Sequence, residues 1–370
     1  MKIGIVTFHY ALNQGAILQA YALQTLLQSW GHQVEFIDYH PKHYFHYKDF
    51  ITKSPKLLLE KWRNQYNGII YRKHQRQFSK ILCIGNIRYK KEKDLRNNPP
   101  NYDIYIAGSD QIWNFTKKIE YAYMLDFVPH NKTKIAYAAS LGQCTVHQKL
   151  YNEICYLLSS FRAISIRESN GKDFICKLMQ KKEIKVPITQ TLDPTLLIKR
   201  EEYEHITESI DECSPYIASY ILSMMEKGHK DIISYIIQKK GLKLINLRNP
   251  DTCVFLSFAK NRIVTPYQFL SYIKQAEFII CSSFHAVVFS LIFHKPFIVL
   301  IPSKFKDKGG NKRISSLLTL LNLMQRCVYD FSPIIIDQLM KEQICWENVD
   351  QIISGLAKES QNFLKTYIHE

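Results

Sequence analysis

At 370 residues, 46% of them hydrophobic, the chain is long enough for two ordinary domains of roughly 170 to 190 residues, each with its own core. A net charge of +16 calls for anionic company, but without zinc-finger spacing, an RRM signature or a basic heptad region the sequence argues against nucleic acid and for anionic small substrates or an anionic membrane face. Nine scattered cysteines without a Cys-x-x-Cys pair argue against a disulfide framework, and no signal-type or transmembrane-length apolar run is present, so the expected location is the cytoplasm.

In chain order, KIGIVTF (2–8) predicts a buried strand, HYALNQGA a polar loop, and ILQAYALQTLLQSWG a helix closed by Gly31. QVEFIDY (33–39) follows as a second strand. This βαβ start predicts a parallel, doubly wound sheet with ligands at the carboxyl ends of its strands. Residues 40–100 are rich in Lys, Arg and Tyr and read as a basic, helical insertion ending in a loop at Asn97–Pro100. Strands resume at 102–110, 134–142, 163–169 and 186–198, with a helix over about 147–160. The charged stretch 199–214 marks the boundary of an N-terminal unit, 1–205. A second α/β unit, 215–330, carries strands at 215–222, 242–247, 277–283 and from Pro296. Its helices are expected at 230–240, from Pro266, at 284–294 and at 313–323. Helices of the tail, 331–370, are expected to pack back across the first unit.

Four places concentrate chemistry at strand ends. The loop with Asn13 and Gly15 leads into a helix N-terminus, where backbone N–H groups favour an anion or a sugar hydroxyl; without G-x-G-x-x-G it does not suit a dinucleotide. Ordinary close packing at Gly15 is an equal reading. Ser109, Asp110, Gln111, Trp113 and Asn114 crowd the end of the next strand: Asp110 suits a general base, Trp113 a stacking platform for a sugar ring. The bland alternative is a helix cap with Trp113 in the core. Arg167 offers a planar fork to carboxylate or phosphate, or an ion pair with Glu168. Ser282, Ser283 and His285 open an apolar helix. Ser283 is placed to cap it, Ser282 to bind an anion, and His285 to donate to a phosphate or move a proton. Lys312 and Arg313 add two cations before a later helix. No His-Glu-x-x-His, cysteine cluster or G-x-S-x-G elbow occurs, and no metal or cofactor is expected; His40, His43 and His46 recur at threes but lack carboxylates in register.

Taken together and in order, NQGAILQAYAL, AGSDQIWN, AYAASLG with Ser140, SIRESNG, TLDPTLLI and SSFHAVVFSLIFHKPFIVL closely resemble the polysaccharide pyruvyl transferase family over roughly residues 1–325. The resemblance implies two Rossmann-like lobes facing a cleft, similar to GT-B glycosyltransferases. It implies phosphoenolpyruvate as donor and a sugar of a cell-surface polysaccharide precursor, often lipid-linked, as acceptor, with a pyruvate ketal as product. The family's donor-site His maps onto His285 and its arginine after the SIR strand onto Arg167. Some members carry Arg-Leu-His where this chain has Ser283-Phe284-His285, so either Lys312 or Arg313 supplies the missing charge or the donor differs; Ala286 also replaces a common Gly. A nucleotide-sugar glycosyltransferase is the alternative enzyme, although no clear carboxylate for a ribose lies in 281–300. A non-catalytic polysaccharide-assembly protein is the alternative outside enzymes.

Overall fold

The computed structural model describes residues 1–11, 13–41, 81–116, 118–142, 146–222, 226–248, 255–303 and 312–369. Most of the basic insertion, with His43 and His46, and the Gly309–Gly310 loop lie outside the described residues.

Apolar segments without strict alternation need cover on both faces, which a parallel sheet with flanking helices supplies. IYIA and AISI are buried at every position and form two inner strands of the first sheet. That sheet comprises β1 (Lys2–Val6), β2 (Gln33–Tyr39), β3 (Ile84–Tyr89), β4 (Ile104–Ala107), β5 (Thr133–Ala139), β6 (Ala163–Ile166) and β7 (Ile188–Gln190). All pair in parallel in the order β3-β2-β1-β4-β5-β6-β7. Helix α1 (Gln14–Ser29) ends where Gly31 takes φ 83°, a conformation glycine adopts freely. Helices α2 (Glu92–Asn97), α3 (Tyr151–Leu158), α4 (Ser169–Gln180) and α5 (Arg200–Glu204) complete this lobe.

β3 corrects one expectation. Residues 84–89 fall inside the presumed helical insertion but form an edge strand, parallel to β2. Its Arg88 side chain is largely exposed, and charged residues suit a sheet edge as well as a solvated helix. The segment 186–198 is likewise mostly not strand: after β7 it turns through a 3-10 helix at Pro194–Leu196.

The second sheet contains β8 (Tyr216–Tyr220), β9 (Lys243–Arg248), β10 (Lys260–Ile263), β11 (Phe278–Cys281), β12 (Phe297–Leu300) and β13 (Cys327–Val328), parallel in the order β10-β9-β8-β11-β12-β13. Its helices are α6 (Lys227–Lys240), α7 (Pro266–Gln275), α8 (Phe284–Ile292) and α9 (Lys312–Leu320). Pro266 stands in the first turn of α7, after a capping box between Thr265 and Gln268. α8 is buried from Phe284 through Leu291, the signature of a helix enclosed on all sides.

An apolar core runs between the lobes; within it the rings of Tyr203 and Phe289 meet edge to face at 5.0 Å. Polar ties reinforce it. Buried Gln14 donates to the Val264 carbonyl at 3.0 Å and accepts from the Tyr220 hydroxyl at 2.5 Å. Ser316 on α9 accepts from the Ser169 N–H at 3.0 Å and from Gln190 at 3.1 Å. Beyond α10 (Pro333–Lys341), the long α11 (Trp346–His369) lies against the first lobe: Ser360 accepts from the Leu192 N–H, Gln361 donates to the Leu197 carbonyl, and Phe363 sits against Tyr137.

Candidate active site

In each sheet the strand order reverses, between β1 and β4 in one lobe and between β8 and β11 in the other. Loops leaving the carboxyl ends diverge at such a point and open a crevice. In the first lobe these are residues 8–11 and 108–110; in the second, 282–283 lead into α8.

Asp193 lies at the centre, fully buried at the N-cap of the 3-10 turn after β7. Its Oδ1 accepts from the Thr195 N–H at 3.0 Å and the Thr195 hydroxyl at 2.6 Å. Its Oδ2 accepts from Ser109 Oγ at 2.9 Å and Arg167 Nη1 at 2.5 Å, and lies 3.7 Å from His285 Nε2. Burial pushes this carboxyl up, but His285, Arg167 and Thr195 outweigh burial and hold it well below the usual carboxylate range. A carboxylate so held anchors the guanidinium of one lobe and faces the imidazole of the other.

Arg167 reaches Asp110 as well, Nη2 to Oδ1 at 3.6 Å, and its guanidinium lies 4.5 Å from the ring centre of Phe284. Its Nε and Nη2, and Nε2 of His285, are buried without hydrogen-bond partners. Buried donors are normally satisfied, so these nitrogens are candidates for contact with a ligand oxygen. Glu168, completely buried, turns the other way: Oε1 accepts from the Leu141 N–H at 2.7 Å and Ser140 Oγ at 3.1 Å. Burial raises its pKa, and Arg167 only partly opposes that. Arg313 of α9 stands in the same electrostatic neighbourhood; burial, then repulsion from Arg167, lowers its pKa, while Asp110, Glu168 and Asp193 draw it up. Arg313 is therefore a second guanidinium in the neighbourhood of Arg167. Lys312 lines an adjoining cavity of about 230 Å³ with Ser169, Asn170, Gln190, Ser315 and Ser316.

Local backbone shape supports this arrangement. Asp110 has φ 71°, a left-handed conformation Asp tolerates, and its carbonyl accepts from the Ser140 N–H at 3.0 Å. Ala138, at φ 47°, stands where the β5–β6 register shifts. Alanine in that region costs about 1–3 kcal/mol, and such strain concentrates at functional sites.

Several expected ligand residues are engaged elsewhere. Trp113 is fully buried; its indole N–H donates to the Tyr123 carbonyl at 3.0 Å and its ring packs on Phe115 and Phe161, so it offers no face to a sugar. The apolar surface of an indole is worth more inside the core than at the rim. Asn114 is exposed and holds Thr116 in a local turn. Asn13 caps α1, accepting from the Gly15 N–H at 2.9 Å and the Ala16 N–H at 3.4 Å. Ser140 braces Glu168 and accepts from the Gly142 N–H. Gln111 is half-buried, its carboxamide against Gly142. Ser282 accepts from the Leu222 N–H at 2.9 Å. Ser283 stands at the N-cap of α8, but its side chain makes no cap hydrogen bond there. Gly15 does reach the centre, because its backbone touches the His285 ring.

Asp193, Glu168 and Phe284 were not among the residues picked for the site from sequence. TLDP held the signal for Asp193: an Asp before a proline at a strand end, the pattern of a capped turn facing the crevice. Among the described residues, the group with metal-ligand chemistry is His9, Asp38 and His40, on the other side of β1 from β4.

Comparison with known structures shows the same two-lobed architecture. The chain is similar to Anabaena HepE in complex with UDP and glucose, at 8% identity, 99% coverage of both chains and a TM-score of 0.52. It is similar to the UDP-N-acetylglucosamine 2-epimerase of Rickettsia bellii, at 9% identity, covering 99% of this chain and 96% of that one, TM-score 0.52. A glycosyltransferase from Rickettsia africae gives 9% identity, 99% and 97% coverage and a TM-score of 0.51. At these identities the likeness is one of fold, and the fold is GT-B. No curated protein matches the chain in sequence. The family description "Polysaccharide pyruvyl transferase" matches residues 13–304, a span that includes Asp110, Arg167, Asp193 and His285, and the chain belongs to that family.

Proposed function

We propose that the protein transfers pyruvate from phosphoenolpyruvate to two hydroxyls of one sugar in a polysaccharide precursor, forming a cyclic ketal. The observation that carries this reading is the set of buried nitrogens of Arg167 and His285 that lack hydrogen-bond partners, contributed by opposite lobes to one crevice. A small, doubly anionic donor satisfies both sides at once. Arg167 and Arg313 take its phosphate and carboxylate, and fixed cations stabilise charge on a departing phosphate.

Chemically, the donor's methylene carbon takes a proton, which places cationic character on C2. One sugar hydroxyl adds to C2 and gives up its proton, replacing the one consumed. The C2–O bond to phosphate then breaks, the second hydroxyl of the same sugar closes the ring, and its proton leaves with the phosphate. His285 serves as acid or as hydrogen-bond donor to the phosphate, and Asp110 takes a hydroxyl proton. Asp193 acts through Arg167 and His285 as a positioning residue. No cofactor takes part. The acceptor is lipid-linked in this reading, and the +16 charge suits work beside an anionic membrane face in the cytoplasm.

The test is incubation with phosphoenolpyruvate and candidate lipid-linked sugars, followed by phosphate release and by the mass of the sugar product. His285→Ala should abolish turnover with the fold intact; Arg167→Ala should abolish it too, while losing stability because it strands the buried Asp193. Near wild-type transfer by His285→Ala would overturn the assignment. Thermal stabilisation by UDP-sugars but not by phosphoenolpyruvate would favour a nucleotide-sugar glycosyltransferase instead.

A further inference from the structure

We propose that His9, Asp38 and His40 form a binding site for a divalent transition-metal ion of the zinc class, at the carboxyl ends of β1 and β2. The potential ligand atoms of these three residues all lie within 4.8 Å of one another. His9 and Asp38 are buried, and His40 is partly exposed. His9 Nε2 lies 3.2 Å from Asp38 Oδ1, and His40 Nε2 lies 2.6 Å from the same oxygen.

A protonated His9 would make an ordinary ion pair here; a neutral one is placed to ligate a cation. Its Nδ1 faces the Thr7 carbonyl at 3.1 Å and its Nε2 faces the Asp38 carboxylate. Both neighbours only accept. A neutral imidazole carries one proton: spent on Thr7, it leaves the Nε2 lone pair opposed to a carboxylate lone pair. A cation between the two turns that repulsion into coordination. An Nδ1–H donated to a backbone carbonyl is also the support that orients a metal-binding histidine and fixes its tautomer.

Asp38 is arranged to match. Arg88 donates to Oδ2 at 2.7 Å, which leaves Oδ1 as a single ligand oxygen facing both imidazoles. Two imidazole nitrogens with one carboxylate select zinc, cobalt and their neighbours over magnesium or calcium, which prefer all-oxygen sites. Ligand bonds near 2.0–2.1 Å in a tetrahedron put neighbouring ligand atoms about 3.3 Å apart. The His9–Asp38 separation already fits. His40 must retreat by several tenths of an ångström, and its partial exposure permits that. Three protein ligands leave a fourth position for water or a substrate oxygen.

The ion would clamp the loop after β1 to the end of β2. That loop enters α1, whose Gly15 lies against His285, so the clamp bears on the crevice from behind. Binding itself is independent of which donor the protein uses.

The full chain, stripped with a chelator, is titrated with Co²⁺ as a visible probe and then with Zn²⁺. We expect one tight equivalent with ligand-field bands, displaced by Zn²⁺. His9→Gln and His40→Gln should each weaken it by at least about tenfold, and the exposed His130→Gln should leave it unchanged. Zn²⁺ should raise the melting temperature of wild type and not of His40→Gln. The proposal is overturned if wild type binds no more Co²⁺ than the His9→Gln/His40→Gln double variant. Wild-type affinity in His40→Gln alone overturns it too; that partly exposed position gives a folded variant even if His9→Gln is unstable.

Discussion

Gly15 and His285 are in contact across the lobe boundary: a Cβ added at 15 would stand 2.0 Å from His285 Nδ1. The helix start in one lobe thereby fixes the imidazole of the other. Gly15→Ala should push the ring aside, lowering kcat by on the order of 10²-fold and destabilising the fold by about 1–3 kcal/mol. Steady-state kinetics beside a denaturant titration separates the two effects. Unchanged kcat would show that the ring's position is not set here.

Asp193 and Arg167 form a buried pair at 2.5 Å. Removing one partner strands the other charge, so Asp193→Asn should cost roughly 3–5 kcal/mol. Arg167→Met combined with Asp193→Leu should recover much of that stability while remaining inactive. Urea midpoints for the two singles and the double variant provide the measurement; a double variant as unstable as the sum of the singles would contradict it.

Asp193 and Glu168 should respond to pH in opposite senses. The Asp193 carboxyl titrates lower in the folded protein than in the unfolded chain. Its stabilising contribution is complete above about pH 5 and drains as pH falls through the unfolded value near 3.9. Glu168 titrates higher when folded, so it withdraws stability as pH rises from its unfolded value near 4.3 toward its folded one. Glu168→Gln should therefore gain on wild type as pH rises past about 4, whereas Asp193→Asn should lose ground. Stability curves at several pH values check both signs.

Trp113 should behave as a core residue. Trp113→Phe leaves the Tyr123 carbonyl without its partner and should cost on the order of 1–3 kcal/mol, with KM for the sugar unchanged. A raised KM at unchanged stability would instead place the indole at the acceptor.

Much of the fold was legible because its signals are local. Apolar runs ending in small polar residues mark parallel strands, Gly31 marks a helix end, and Pro266 marks a helix start; each reads the same in the structure. Among the described residues, three of the four edge strands were not legible. β3, β10 and β13 are short or charged, and pairing with a neighbour, rather than their own pattern, makes them strands. Within the site, Arg167, Asp110 and His285 stand out by residue type at strand ends. Asp193 does not, because its importance comes from which side chains other segments bring to it. Trp113 shows the reverse: prominent in sequence, it is enclosed by Phe115 and Phe161 from its own and a later segment. Asn114 and Ser282 likewise spend their polarity on neighbouring backbone and side chains.

The two halves of the anion-facing cluster ride on different lobes, Arg167 on one and His285 with Arg313 on the other. A ligand touching both is then a spring between them, and its affinity varies with the gap. By reciprocity, whatever draws the lobes together tightens the ligand, and the ligand draws the lobes together by the same free energy. The Gln14–Tyr220 and Ser316–Gln190 bonds tie the same two lobes together. Substitutions there, remote from any reacting atom, should read out as changes in donor affinity.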